Sequence, residues 1–154
     1  MEQKTICIDF DGVIHDYNKG WQGEDVFGQM IPNADTGTAT LKKNGWTIII
    51  FTTRKKTEKL EKWLEENNIS YDHINENPNQ PEHASGKIIA DVYLDDRGIC
   101  FRGRWDSWLM RDIIEFEPWQ EQQKREIEQL ATYGQTEDDI WSRGNEKRIK
   151  QAHV

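Results

Sequence analysis

Three short apolar runs, each broken off by acidic or hydroxyl side chains, constrain this chain more than any other feature of it. Residues 4–9 (KTICID) run into Asp9 and Asp11, residues 46–53 (WTIIIFTT) into Thr52 and Thr53, and residues 91–95 (DVYLD) into Asp95 and Asp96. Runs this short, rich in β-branched residues and without strict alternation, suit strands buried on both faces, as in a parallel sheet. A fourth strand is predicted over 70–74 (SYDHI).

Helical signals fall between the strands. Pro32 can open a helix and Gly45 can close it just before the second strand. Leu60, Trp63 and Leu64 make an apolar stripe at i, i+3, i+4 among charged residues, which predicts an amphipathic helix over 55–67. Residues 75–86, rich in Asn, Pro and Gly, read as loop, and 106–114 as a helix capped by Asp106. Alternating strands and helices imply a three-layer α/β domain with right-handed crossovers. Composition changes after Pro118. We therefore expect one domain over 1–118 and a helical or partly disordered extension over 119–154. In that extension, 120–130 is helix-forming, and Thr136 with Asp139 can cap a last helix over 137–150.

Several function classes are disfavoured at once. A formal charge of -8 opposes loose adhesion to nucleic acid or anionic membrane. The N-terminus lacks a cationic stretch followed by a long apolar segment, and the run from Ile48 to Phe51 is far too short to cross a bilayer, so a cytoplasmic protein is expected. Cys7 and Cys100 form no C-x-x-C pair, and the four histidines show no H-E-x-x-H spacing. Cys7 reads as a small buried hydrophobe.

The acidic strand ends carry the chemistry. Ligands of α/β sheets bind at the C-terminal ends of the strands, and three such ends present four carboxylates and two hydroxyls here. Clustered carboxylates repel one another unless a hard cation sits among them, and all-oxygen ligands favour magnesium. A single Asp-x-Asp is better read as a cap or turn; three strand ends together are not.

These residues resemble the haloacid dehalogenase superfamily. DFDGVIHD at 9–16 is similar to its first motif, FTTR at 51–54 to its second, Lys87 in SGKIIADVYLDDRG to its third, and LDDRG at 94–98 to its fourth, acidic motif. The resemblance covers roughly residues 4–116. It implies a Rossmann-like three-layer sandwich around a parallel sheet, and an Mg2+-dependent phosphohydrolase. Asp9 is then the nucleophile that forms an aspartyl phosphate, and Asp11 the general acid and base. Gly12 gives the tight turn beside the phosphate, Thr52 hydrogen-bonds a phosphoryl oxygen, and Lys87 steadies Asp9 and the phosphoryl charge. Asp9, the Asp11 carbonyl and Asp96 ligate the metal, with Asp95 acting directly or through water. Thr53 can align in place of Thr52. Arg54 reads equally as a substrate contact or a solvated helix-start residue. His15 and Asp16 read as a plain surface turn.

The stretches open to insertion are short, which implies a capless member with a small, glycine-bearing flap at about 17–30, where Trp21 and Phe27 either close over a ligand or seal the edge of the core. An open site suits a large or end-presented phosphate, or takes a neighbouring subunit as its lid. The chain also resembles small deoxyribonucleotidase-like members, so a nucleotide or a nucleic-acid phosphate end is the expected substrate. The alternatives are another small metabolite, a phosphoprotein, or a catalytically silent metal-binding domain. The basic run Arg54, Lys55, Lys56, Lys59 and Lys62 can track a phosphate chain, but an ordinary solvated helix face is the favoured reading.

Overall fold

The computed structural model describes residues 3–131. Its order of elements is β1 (Thr5–Ile8), α1 (Ala34–Lys43), β2 (Thr47–Ile50), α2 (Glu58–Glu66), β3 (His73–Ile74), β4 (Val92–Leu94), α3 (Ser107–Ile114) and α4 (Trp119–Ala131). The expected strands and the first three helices form with shorter bounds, and the helix expected over 120–130 runs one residue further at each end; the helix expected over 137–150 lies outside the described residues. The chain divides into two compact units, Met1–Cys100 and a second that begins at Phe101.

In the first unit the strands form one all-parallel sheet in the order β3-β2-β1-β4. This is an α/β architecture compatible with a Rossmann-like three-layer sandwich. Side chains alternate across a strand, and the two faces of this sheet are both apolar. Ile6, Ile8, Ile48 and Ile50 pack with Leu60, Trp63 and Leu64 of α2 on one face. On the other face Cys7 and Ile49 pack with Ile88 and Ala90 from the β3–β4 connection. Burial pushes the Cys7 thiol up to about 11, so it stays a neutral hydrophobe.

Local signals set the helix ends. Gly45 sits at φ 81°, where only glycine is unstrained, and α1 stops there. The Thr57 hydroxyl accepts the Leu60 N–H at 3.2 Å to start α2. In the second unit the Asp106 carboxylate caps α3 through the Leu109 N–H at 2.9 Å, as expected.

One strand departs from expectation. Val92, Tyr93 and Leu94 are 41%, 41% and 49% exposed. β4 is an edge strand rather than a strand buried on both faces, because it pairs only with β1. Its three apolar residues looked from the sequence like those of β1 and β2; position in the sheet, not composition, decides burial.

Asp72, just ahead of β3, pins that strand's entry. Its carboxylate accepts the Ile48 N–H at 2.8 Å and both oxygens take the Lys42 ammonium, at 2.6 and 2.8 Å. Burial alone would raise its pKa; the Lys42 and Ile48 contacts outweigh this and hold it below the ordinary carboxylate value. A depressed carboxylate stabilises the fold above its unfolded pKa of about 3.9, and that contribution is lost as pH falls through the lower folded value. Asp72→Asn is therefore expected to cost about 1 kcal/mol at pH 7 and less at about pH 3. Urea melts at the two pH values check this; an equal cost at both would mean that the charge is irrelevant.

Candidate active site

The sheet places the acidic residues at its topological switch point. From β1 the chain winds one way to β2 and β3, then returns to add β4 on the other side of β1. The crevice at the C-terminal ends of β1 and β4 is where such folds hold ligands. The pairing runs on past the strands: the Asp9 N–H donates to the Leu94 carbonyl at 2.9 Å, so Asp9 stands directly beside Asp95 and Asp96.

Carboxylate oxygens of Asp9, Asp95 and Asp96 all lie within 4.8 Å of one another. This acidic cluster can hold a metal ion. Burial pushes the Asp9 pKa up to about 7. The hydrogen bond from the Phe10 N–H, at 2.7 Å, opposes that rise, and the charges of Asp95, Asp96 and Asp11 add to it. A carboxylate this uncomfortable is relieved by a cation or by a proton.

The carboxylate of Asp11 is not part of that cluster. It was expected in the same volume, but it is taken up by Arg54 and His15. Arg54 holds it in a fork, Nε to one oxygen at 2.8 Å and a terminal nitrogen to the other at 3.0 Å. His15 Nδ1 lies 2.9 Å from Oδ1, the oxygen that also accepts from the terminal nitrogen of Arg54. His15 Nε2 accepts the Gly28 N–H at 2.6 Å, which leaves the ring proton on Nδ1 to donate to Asp11. Burial works to raise the Asp11 pKa, yet the hydrogen bonds from His15 and Arg54 and the charge of Arg54 prevail and hold it below the ordinary value.

Two sequence expectations are corrected here. His15 is not a surface turn residue: it is 4% exposed, stacked flat on Phe10 at 5.0 Å and edged by Phe27 and Trp63. Asp16 does serve a turn, its carboxylate accepting the Asn18 N–H at 2.8 Å. Arg54 is not solvated: it is 2% exposed. Beyond Asp11 it donates to the carbonyls of Gly23 and Glu24 at 3.0 and 2.7 Å, with the Trp21 ring 4.5 Å from the guanidinium carbon. The flap over 17–30 is thus tied down at Gly23–Glu24 by Arg54 and at Gly28 by His15. Trp63 Nε1 adds a bond to the Gly28 carbonyl at 3.2 Å. Phe27 packs into the core, while Trp21 remains half exposed.

The remaining predicted residues divide. Gly12 holds φ 86°, the tight turn expected of it. Thr52 is buried and Thr53 exposed. The Thr52 hydroxyl oxygen accepts the Arg54 N–H at 3.2 Å. Lys87 is exposed, with its ammonium 5.2 Å over the Tyr93 ring, and forms no salt bridge with Asp9. Its segment is held elsewhere: the Gln80 amide donates to the Ser85 and Lys87 carbonyls and accepts the Ile89 N–H.

Asn75 is a site residue that sequence reasoning missed. At φ 55° it accepts the Thr52 N–H through Oδ1 at 2.8 Å and donates to the Arg54 carbonyl at 2.9 Å, fixing the 52–54 turn. An Asn directly after a strand, able to take the left-handed conformation, was the available signal.

The basic run on α2 is largely neutralised. Lys56 lies 3.7 Å from Glu61 and 3.9 Å from Glu76, Lys59 lies 3.2 Å from Asp25, and Lys62 lies 3.6 Å from Glu66. This supports the solvated-face reading.

No family model and no curated protein matches the chain. Among solved structures the chain is similar to a conserved protein from Bacteroides thetaiotaomicron. The two are 24% identical, the match covers 74% of this chain and 91% of that one, and the TM-score is 0.51. That likeness supports the α/β fold. Among the described residues, no helix is long and apolar enough to cross a membrane.

Proposed function

We propose that the chain is a metal-dependent phosphomonoesterase of the haloacid dehalogenase type, with Asp9 as nucleophile. The observation that carries this reading is the meeting of Asp9, Asp95 and Asp96 within 4.8 Å at the switch point, with a separate, ionised carboxylate, Asp11, two residues further on. One carboxylate at a cation site and another kept apart from it is the division of labour that phosphoryl transfer through an aspartyl enzyme requires.

The donor set fits a hard divalent cation, and magnesium is the ion we propose. Asp9, Asp95 and Asp96 would hold it, together with the Asp11 carbonyl. When bound, it neutralises charge on the phosphoryl oxygens and on Asp9 so that two anions can approach. An oxygen of Asp9 bonds to phosphorus as the ester P–O bond breaks, and the departing oxygen takes its proton from the minor, protonated fraction of Asp11, which is left as the carboxylate. Water then adds to phosphorus, Asp11 takes its proton, and Asp9 is freed with release of phosphate. The carboxylate form of Asp11, favoured by Arg54 and His15, is the form this second step uses. Thr52 lines the phosphoryl pocket from the end of β2.

No secondary-structure element is inserted between β1 and α1 or between β2 and α2. This supports an uncapped site and a terminal phosphate, for which a nucleotide or nucleic-acid end is the class we propose. The pairing of Lys56, Lys59 and Lys62 leaves that helix face little spare charge for following a polymer. Purified protein is expected to hydrolyse p-nitrophenyl phosphate with magnesium and to stop when EDTA is added. A panel of nucleotides, sugar phosphates, phosphopeptides and phosphorylated oligonucleotides then fixes the class. Activity that survives EDTA would contradict the metal-dependent reading.

A further inference from the structure

Among the described residues, Arg54 and His15 hold the Asp11 carboxylate, and both also hold the flap. Arg54 grips Asp11 with two nitrogens and the Gly23 and Glu24 carbonyls with the third. His15 meets Asp11 through Nδ1 and the Gly28 N–H through Nε2. Both are nearly inaccessible, at 2% and 4% exposure, and aromatic rings confine them: Phe10, Trp21 and Phe27 surround the guanidinium, while Phe10, Phe27 and Trp63 surround the imidazole. Packed rings leave few alternative rotamers, so neither side chain can shift at one end without shifting at the other. Planar, two-ended groups of this kind transmit orientation, which a flexible lysine would not.

We propose that Arg54 and His15 are positioning residues that tie the orientation of Asp11 to the seating of the 17–30 flap. When the flap lies down, Asp11 is aimed and held; when Trp21 and the Gly23–Glu24 carbonyls lift, the fork opens and Asp11 is released. Substrate that contacts the flap thereby aligns the acid–base group. The coupling itself is a property of the fold, while its catalytic consequence rests on the phosphomonoesterase reading.

The first measurement needs no activity. In Asp11→Asn the charge that anchors His15 is gone, so the Gly28 amide should exchange with solvent about 10-fold faster, the factor expected for losing one charge-assisted hydrogen bond. The amides of Ile49 and Ile50, which open with the sheet, should keep their rates. An unchanged Gly28 rate, or the same acceleration at Gly28 and in the sheet, would overturn the coupling. If Asp11→Asn fails to fold, Arg54→Lys is read at the same amide, which Arg54 does not touch.

The second measurement asks whether the coupling serves chemistry. An aryl alcohol leaves without a proton, so Arg54→Lys and His15→Asn should still phosphorylate Asp9 rapidly with p-nitrophenyl phosphate and magnesium. Freeing of Asp9 needs an aimed Asp11. Both variants should therefore release one nitrophenolate per enzyme in a burst, then turn over about 100-fold more slowly than wild type. A proportional loss of burst and turnover marks mere damage to the fold and removes the positioning role. A wild-type protein that hydrolyses neither aryl nor alkyl phosphates refutes the phosphomonoesterase reading, and the exchange rates alone then decide the coupling.

Discussion

Asp9→Asn is expected to lower phosphatase turnover by about 10⁴-fold or more, because an amide nitrogen or oxygen cannot form and release an acyl phosphate. The same substitution should make the metal-free protein more stable. Burial, with the charges of Asp95, Asp96 and Asp11, pushes Asp9 up to about 7, against roughly 3.9 in an unfolded chain. Between those values the folded state binds more protons than the unfolded state, so its stability falls as pH rises from 4 to 7, and the whole penalty is present above 7. Asparagine carries no charge and escapes it. In EDTA at pH 8 the variant should exceed wild type by about 3 kcal/mol, and the gap should close near pH 4. Urea melts at both pH values, beside aryl phosphate assays with magnesium, test the two halves together. A variant that is both inactive and less stable at pH 8 would mean that Asp9 is a structural residue. One that keeps its activity would remove it as the nucleophile.

That opposition between stability and chemistry also explains which parts of the site were legible. Asp9, Asp95 and Asp96 stand out because charge at the end of a buried strand has few structural uses, and the parallel sheet brings adjacent strand ends together whatever else the chain does. The strands themselves are legible for the same reason: TICI and TIII leave no polar face for water. Arg54 was not legible. An arginine ahead of a run of lysines reads equally as a substrate contact or a solvated residue, and only the arrival of Asp11 from 43 residues away, with two flap carbonyls, makes its burial tolerable. His15 was misread alongside it, although its apolar neighbours Val13 and Ile14 hinted at burial. The expected reach of Lys87 to Asp9 and the burial of β4 both failed. Gln80 knits the segment before β4 into a loop of its own, away from Asp9, while β4 is exposed because it lies at the edge of the sheet.

The buried clamp makes the other large prediction. Replacing Arg54 by Met keeps much of the side chain's volume and its contact with Phe10, Trp21 and Phe27, so any loss reports on charge and hydrogen bonds rather than on a cavity. The substitution strands the Asp11 carboxylate, whose side chain is only 13% exposed, and leaves the Gly23 and Glu24 carbonyls without their donor. Removing one partner of a buried ion pair costs about 3–5 kcal/mol. In a chain of this size that lowers the melting temperature by roughly 10 °C. An exposed pair such as Lys62 with Glu66 would contribute about 0–1 kcal/mol, so the two cases separate cleanly. Adding Asp11→Asn to Arg54→Met should recover part of the loss, since the second change removes the charge that the first left unpaired. A double-mutant cycle in urea measures that coupling, expected at about 1–3 kcal/mol. If Arg54→Met costs less than 1 kcal/mol, or if the two losses simply add, then the fork does not carry the fold at this point and the flap is held by His15, Trp63 and the aromatic packing.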